Sequence, residues 1–204
     1  MSYQRIKLEQ PYSYLEPYIS EEIVRKHYEN NHKAYEVKLN AAIEGRGIQE
    51  RFGSLESLMK SYQKIEDPII KVAIRQFGGG LLNHNFLFPS MKKDVEFKDG
   101  LLKTKILNQY GTIERFKAEY KEAVLNLFGS GWIWFVVGKS EMLNIIKVFN
   151  QDTPQFLGFT PLFGIDVWEH AFIFQFDGDK GAYFDAIWKC IDWDFVEEQY
   201  VNKK

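Results

Sequence analysis

After Gly129-Ser130-Gly131 the apolar pattern of this chain changes period, and that change limits the folds open to it. Upstream, apolar residues recur at helical spacing, as in Ile113, Phe116, Tyr120, Ala123 and Leu127 on one stripe behind an N-capping Thr112, a helix expected over Ile113 to Phe128. Downstream, Trp132 to Val137, Met142 to Phe149 and Phe159 to Asp166 are β-rich runs, with Gly138-Lys139-Ser140-Glu141 as a turn between the first two. Trp168 to Phe176 and Tyr183 to Trp193 then return to helix, joined through Asp177-Gly178-Asp179. The pattern predicts an α+β chain, an all-helical half followed by a half built on a small antiparallel sheet. The charged stretch Lys92 to Gly100 is the boundary between them.

The helical half carries its own punctuation. Ser20 is an N-cap with Glu21 and Glu22 in the first turn, where the helix dipole favours acids, and the polar helix it opens runs to about Glu44 before Gly45-Arg46-Gly47. Ser54 caps a short helix to Gln63, and Asp67-Pro68 opens another to about Phe88, stopped by Pro89. Gly78-Gly79-Gly80 falls inside that last helix, at a cost of about 1 kcal/mol per glycine relative to alanine. Something must want the backbone close there, or the space empty.

Composition narrows the function. A formal charge of −2 gives no basic field, which disfavours nucleic acid as a direct partner. No apolar run reaches the length of a membrane span, and the N-terminus lacks the apolar stretch of a secretion signal. The single cysteine, Cys190, fits a reducing compartment and reads as a small buried hydrophobe between Trp188 and Trp193. The expected location is a mitochondrial matrix or cytoplasm rather than outside the cell.

The chemistry lies in Asp166-Val167-Trp168-Glu169-His170, where a carboxylate and an imidazole stand four residues apart between an apolar strand and a helix. A bare Asp in an apolar setting is costly unless it is ionised against a cation. The chain has only four histidines, His27, His32, His84 and His170; two lie in a polar helix, whereas His84 sits in the apolar run Leu81-Leu82-Asn83-His84-Asn85-Phe86-Leu87-Phe88. Three histidines and an aspartate without cysteine suit Fe or Mn, with Zn possible.

From about Pro11 to Trp193 the chain resembles the iron/manganese superoxide dismutases. The matches are ordered: Pro11-Tyr12-Ser13-Tyr14-Leu15-Glu16-Pro17, His27-Tyr28, Tyr35, Leu39-Asn40, Gly78-Gly79-Gly80, Asn83-His84, Gly129-Ser130-Gly131-Trp132, Asp166-Val167-Trp168-Glu169-His170-Ala171 and Ile191-Asp192-Trp193. The resemblance implies an N-terminal α-helical hairpin domain over residues 1–92 and a C-terminal α/β domain over 93–204 with a three-stranded antiparallel sheet. It implies one Mn or Fe ion held by His27, His84, Asp166 and His170, with Tyr35 at the active-site tyrosine and Trp168 and Trp132 lining the pocket. The implied reaction converts superoxide to O2 and H2O2.

Departures surround that set. The family bonds its metal-bound solvent with a glutamine placed one turn before the second His ligand or just before Gly-Ser-Gly-Trp; those positions hold Gly80 and Phe128. The gateway histidine is Asn31, its cross-subunit tyrosine partner is Ile173, and a pocket tryptophan is Phe88. Glu169, which in the family pairs with the last His ligand of a second subunit, is retained and implies a homodimer. The expectation is a dismutase slowed by a missing glutamine; the alternative is a dismutase-fold structural subunit of a larger, mitochondrial protein assembly that keeps its metal but little catalysis.

Overall fold

The structure is a computed structural model that describes residues 2–203. Ser20 accepts from the Ile23 amide and starts α1 (Glu21–Lys26), which passes through a π-helical segment, His27–His32, into α2 (Lys33–Ile43). The expected long polar helix is therefore one rod with a widened turn in its middle, and that turn begins at His27. Short helices α3 (Ile48–Phe52) and α4 (Leu55–Ser61, capped by Ser54) lead to the returning rod. Asp67 accepts from the Ile69 and Ile70 amides above α5 (Pro68–Ala73), a second π-helical segment covers Ile74–Gly78, and α6 (Gly79–Leu87) completes it. The two rods form a helical hairpin.

The glycines of the returning rod are explained by its neighbours. A Cβ on Gly78 would lie 2.6 Å from the Met59 sulfur and one on Gly80 2.5 Å from the Tyr35 ring, while one on Gly79 would run into the carbonyl oxygen of Gln151. Real Cβ atoms do not approach so closely, so the helix trades propensity for contact between backbone and neighbour.

In the second half, α7 (Leu101–Tyr110) is a helix absent from the expectations above, burying Leu102, Ile106 and Tyr110 at four-residue spacing. α8 (Ile113–Leu125) ends three residues short of the expected Phe128. The sheet has the order β2-β1-β3, with β1 (Gly131–Val137) buried along its whole length between β2 (Leu143–Phe149) and β3 (Thr160–Asp166), both antiparallel to it. Burial on both faces is why β1 reads as a continuous apolar run rather than an alternating one. β3 pairs Asp166 with Trp132 and Gly164 with Trp134, whose ring fills the space a Gly164 side chain would need. Beyond the sheet lie α9 (Glu169–Phe176), α10 (Lys180–Trp188) and α11 (Trp193–Val201). The expected helix over Tyr183 to Trp193 is two elements, because Asp192 accepts from the Phe195 amide and starts a new one.

Among the described residues the core falls into two apolar clusters. The smaller, with Leu39, Leu58, Met59, Ile74 and Leu81, lies between the hairpin rods and the short helices. The larger surrounds the sheet, yet it also takes in Ile23, Val24, Tyr28, Leu87 and Phe88 from the hairpin. The ends of both rods are thus embedded in the second half. Cys190 is fully buried in the larger cluster, and burial pushes its thiol up to about 12.

Candidate metal centre

Four elements deliver the candidate donors to one point between the two clusters. His27 comes from the first turn of the π-helical segment, His84 from α6, Asp166 from the last position of β3, and His170 from the first turn of α9. After Asp166 the Val167 amide bonds to the Gly131 carbonyl at 2.9 Å, which holds the chain end against β1 as it turns into α9. One donor atom from each of the four side chains lies within 4.8 Å of all the others. His27 Nε2, His170 Nε2 and His84 Nε2 stand 3.2, 3.2 and 3.5 Å from Asp166 Oδ2.

The surroundings fix which atoms face inward. The Trp168 amide donates to Asp166 Oδ1 at 2.8 Å, leaving Oδ2 to the imidazoles. His84 Nδ1 bonds to the Gly80 carbonyl at 2.7 Å, so Nδ1 carries the proton and Nε2 presents a lone pair. Burial alone would raise the Asp166 carboxyl, but the His170 and His27 imidazoles outweigh it and hold the group far below the usual carboxylate range. Burial is the leading cause that lowers both His27 and His84, so both stay neutral.

Neutral imidazoles and an ionised carboxylate are a donor set for a cation. The Nε2 atoms of His84 and His27 face each other at 2.8 Å. With Nδ1 of His84 protonated, its Nε2 lone pair is free to accept from a neighbouring N–H or to ligate a cation at this point. The residues fit one Mn or Fe ion.

Aromatic rings close the pocket. The Trp132 ring meets His84 edge-on at 5.2 Å, Phe88 meets His27 at 5.6 Å, and Trp168 stacks on His170 at 6.0 Å between centroids. His32 is fully buried and stacks at 5.5 Å on both His84 and Phe88, with Nε2 2.8 Å from Asn85 Oδ1. It backs the site without facing the donors.

Two expectations fail here. Phe128 does not line the pocket: it is 96% exposed, because Gly129 turns the chain at φ 80° and sends the preceding side chain outward. Nor is the site without a glutamine. Gln151, in the loop after β2, is buried and reaches in; its Nε2 donates to Tyr35 Oη at 2.9 Å and its Oε1 accepts from Trp132 Nε1 at 3.1 Å and from Asn83 Nδ2 at 3.3 Å. One carboxamide N–H has no protein acceptor among the described residues. The polar loop Asn150-Gln151-Asp152-Thr153-Pro154 marks a turn, and nothing in it marks a buried carboxamide.

Tyr35 is half-buried with its ring 5.3 Å from that of His84. Burial and then the Asp166 charge raise its phenol, against a weaker opposing pull from the Gln151 bond. Gly80 touches Tyr35 and supplies the carbonyl behind His84. Asn31 is half-buried, Ile173 is 40% exposed, and Glu169 is exposed with no side-chain bond to its own chain among the described residues. No described helix is long and apolar enough to cross a membrane.

Two family models match the chain. Residues 2–92 match the alpha-hairpin domain of iron/manganese superoxide dismutases, and residues 98–199 match the C-terminal domain of the same proteins.

Proposed function

Since the chain belongs to the iron/manganese superoxide dismutase family, we propose that it converts superoxide to O2 and H2O2 at one Mn or Fe ion held by His27, His84, Asp166 and His170. The observation that carries this reading is the convergence of three imidazoles on one ionised, fully buried carboxylate. Such an ion would supply a one-electron couple, accepting an electron from one superoxide and returning it to the next.

The chain's residues do the rest. The donor set brings a single negative charge, so a di- or trivalent cation leaves the pocket positive towards an anionic substrate. Tyr35 keeps its proton on Oη at neutral pH, since burial raises the phenol. Because Gln151 Nε2 already donates to that oxygen, the Tyr35 proton points away from Gln151 and can be passed into the pocket. The spare N–H of Gln151 is the donor for solvent at the site, in place of the glutamine that Gly80 and Phe128 do not supply. Phe88, Trp132 and Trp168 keep bulk water out, which strengthens each of these polar contacts.

We also propose a homodimer, in which the exposed Glu169 faces the corresponding site of a second copy. The structural-subunit alternative rests in part on an absent glutamine; with Gln151 in the pocket it keeps only Asn31 and Ile173. Metal content and dismutation rate on the purified protein decide between them. About one Mn or Fe per chain with rapid turnover supports the enzyme, while a full complement of metal without turnover refutes it.

A further inference from the structure

We propose that Arg75 and Asp152, outside the pocket, form a positioning clamp that sets how deeply Gln151 reaches towards Tyr35; this rests on the role given to Gln151 above. Gln151 sits in a loop, and Asn150 just before it takes the left-handed conformation at φ 52°. The loop backbone is held on the sheet side, where the Asn150 amide donates to Ser130 O at 2.9 Å, the Asp152 amide to Phe149 O at 3.1 Å, and Trp168 Nε1 to Asn150 O at 3.1 Å. On the hairpin side it meets one face of the returning rod, where Arg75, Gly79 and Asn83 recur at four-residue spacing: Gly79 meets Gln151, Arg75 meets Asp152 and Asn83 meets both.

The three contacts differ in kind. At Gly79 the rod presses directly on the Gln151 carbonyl, which stops the loop from moving inward. Asn83 Nδ2 shares itself among Gln151 O, Gln151 Oε1 and Asp152 O at 3.4, 3.3 and 3.3 Å, all long. Arg75 instead makes a two-pronged pair, Nε to Oδ1 and Nη2 to Oδ2 of Asp152, both at 2.6 Å. Those are the shortest polar contacts between hairpin and loop, and the planar fork fixes orientation as well as distance. A carboxylate one residue from the carboxamide, gripped from outside, limits the loop from drifting outward. From the same face of the rod, Gly79 therefore limits how close the Gln151 backbone can come and Arg75 how far the loop can move away.

The test uses Arg75→Ala, Asp152→Asn, the double variant and Arg75→Lys, with Lys98→Ala as control, since Lys98 and Asp194 form an exposed pair at 2.9 Å elsewhere. The first readout is hydrogen exchange of the Gln151 side-chain N–H signals in metal-free protein, followed by NMR. The second is turnover of the metal-loaded protein. Arg75→Ala and Asp152→Asn are each expected to speed exchange and slow turnover about five-fold, equivalent to about 1 kcal/mol. The double variant should add nothing further, Arg75→Lys should fall between, and Lys98→Ala should change neither readout. Unchanged exchange in Arg75→Ala, additive effects in the double variant, or an equal response to Lys98→Ala overturns the clamp. If the alanine variant does not fold, Arg75→Lys, which keeps the charge, decides instead: faster exchange supports the clamp and unchanged exchange overturns it. An unmodified protein without turnover would overturn the dismutase reading, while exchange in metal-free protein would still decide the clamp.

Discussion

Replacing Gln151 by leucine separates what this side chain bonds from the space it fills. Leucine is close to glutamine in size, so little cavity opens. Trp132 is fully buried and loses its acceptor, which leaves a stranded indole N–H. Asn83 keeps the backbone oxygens of Gln151 and Asp152, and Tyr35 loses a donor but not its own proton. The stranded donor costs about 1–3 kcal/mol, partly offset by the apolar gain of leucine, for a net loss of about 2 kcal/mol. For a chain of this length that corresponds to a fall of about 4–8 °C in the melting temperature of the metal-free protein at pH 7, followed by circular dichroism. Gln151→Ala should lose about 1 kcal/mol more through its cavity. In the loaded protein, loss of a bond to solvent at a charged site should slow turnover roughly ten- to a hundred-fold. A melting shift under about 1 °C in Gln151→Leu would refute the hydrogen-bond network described for this side chain.

Phe128→Gln should leave stability within about 0.5 kcal/mol and turnover unchanged, because the side chain lies in solvent; any gain in rate would contradict its placement. Gly79→Ala should cost about 1–3 kcal/mol in urea unfolding despite a helix-propensity gain of about 1 kcal/mol, since the new Cβ meets a backbone oxygen; a stabilised variant would contradict that contact. Acid should unfold the metal-free protein early. His27 and His84 are lowered by burial, and burial first of all takes His32 from 6.5 to about 3. Below about pH 6.5 the unfolded chain binds protons that the folded chain refuses, so stability falls as pH falls, by up to about 1.4 kcal/mol per unit for each histidine. Asp166, held low when folded, begins to add to the loss only below about 3.8. Urea midpoints that match at pH 7 and pH 5 would contradict this.

Features written in consecutive residues are legible without the structure. Asp166 and His170 share a strand end and the helix turn that follows, and Ser20, Ser54, Asp67 and Thr112 each cap the helix they precede. The β-rich runs after Gly129 are the three strands, within a residue or so of their expected ends. Gln151 is not legible, because its burial is decided by Gly79, Asn83 and Tyr35, all far away in the chain. Phe128 misleads for the opposite reason. It is next to the strand that enters the site, but nearness in sequence says nothing of direction once a glycine adopts positive φ. The α7 helix shows its spacing in Leu102, Ile106 and Tyr110 but lies behind a charged stretch that reads as a linker.

The embedding of both hairpin ends in the larger apolar cluster bears on how the protein is made. Ile23, Val24, Leu87 and Phe88 have no complete apolar surroundings until the sheet is present, and His27 and His84 sit among them. About 80 residues separate His84 from Asp166, which at ribosomal rates is about 4–16 s of synthesis. During that interval the first two imidazoles exist without the carboxylate that would neutralise a cation between them. Ion capture is thus a late event, available only to a chain whose second half has docked, and a half-made chain has no pocket in which to hold a stray metal.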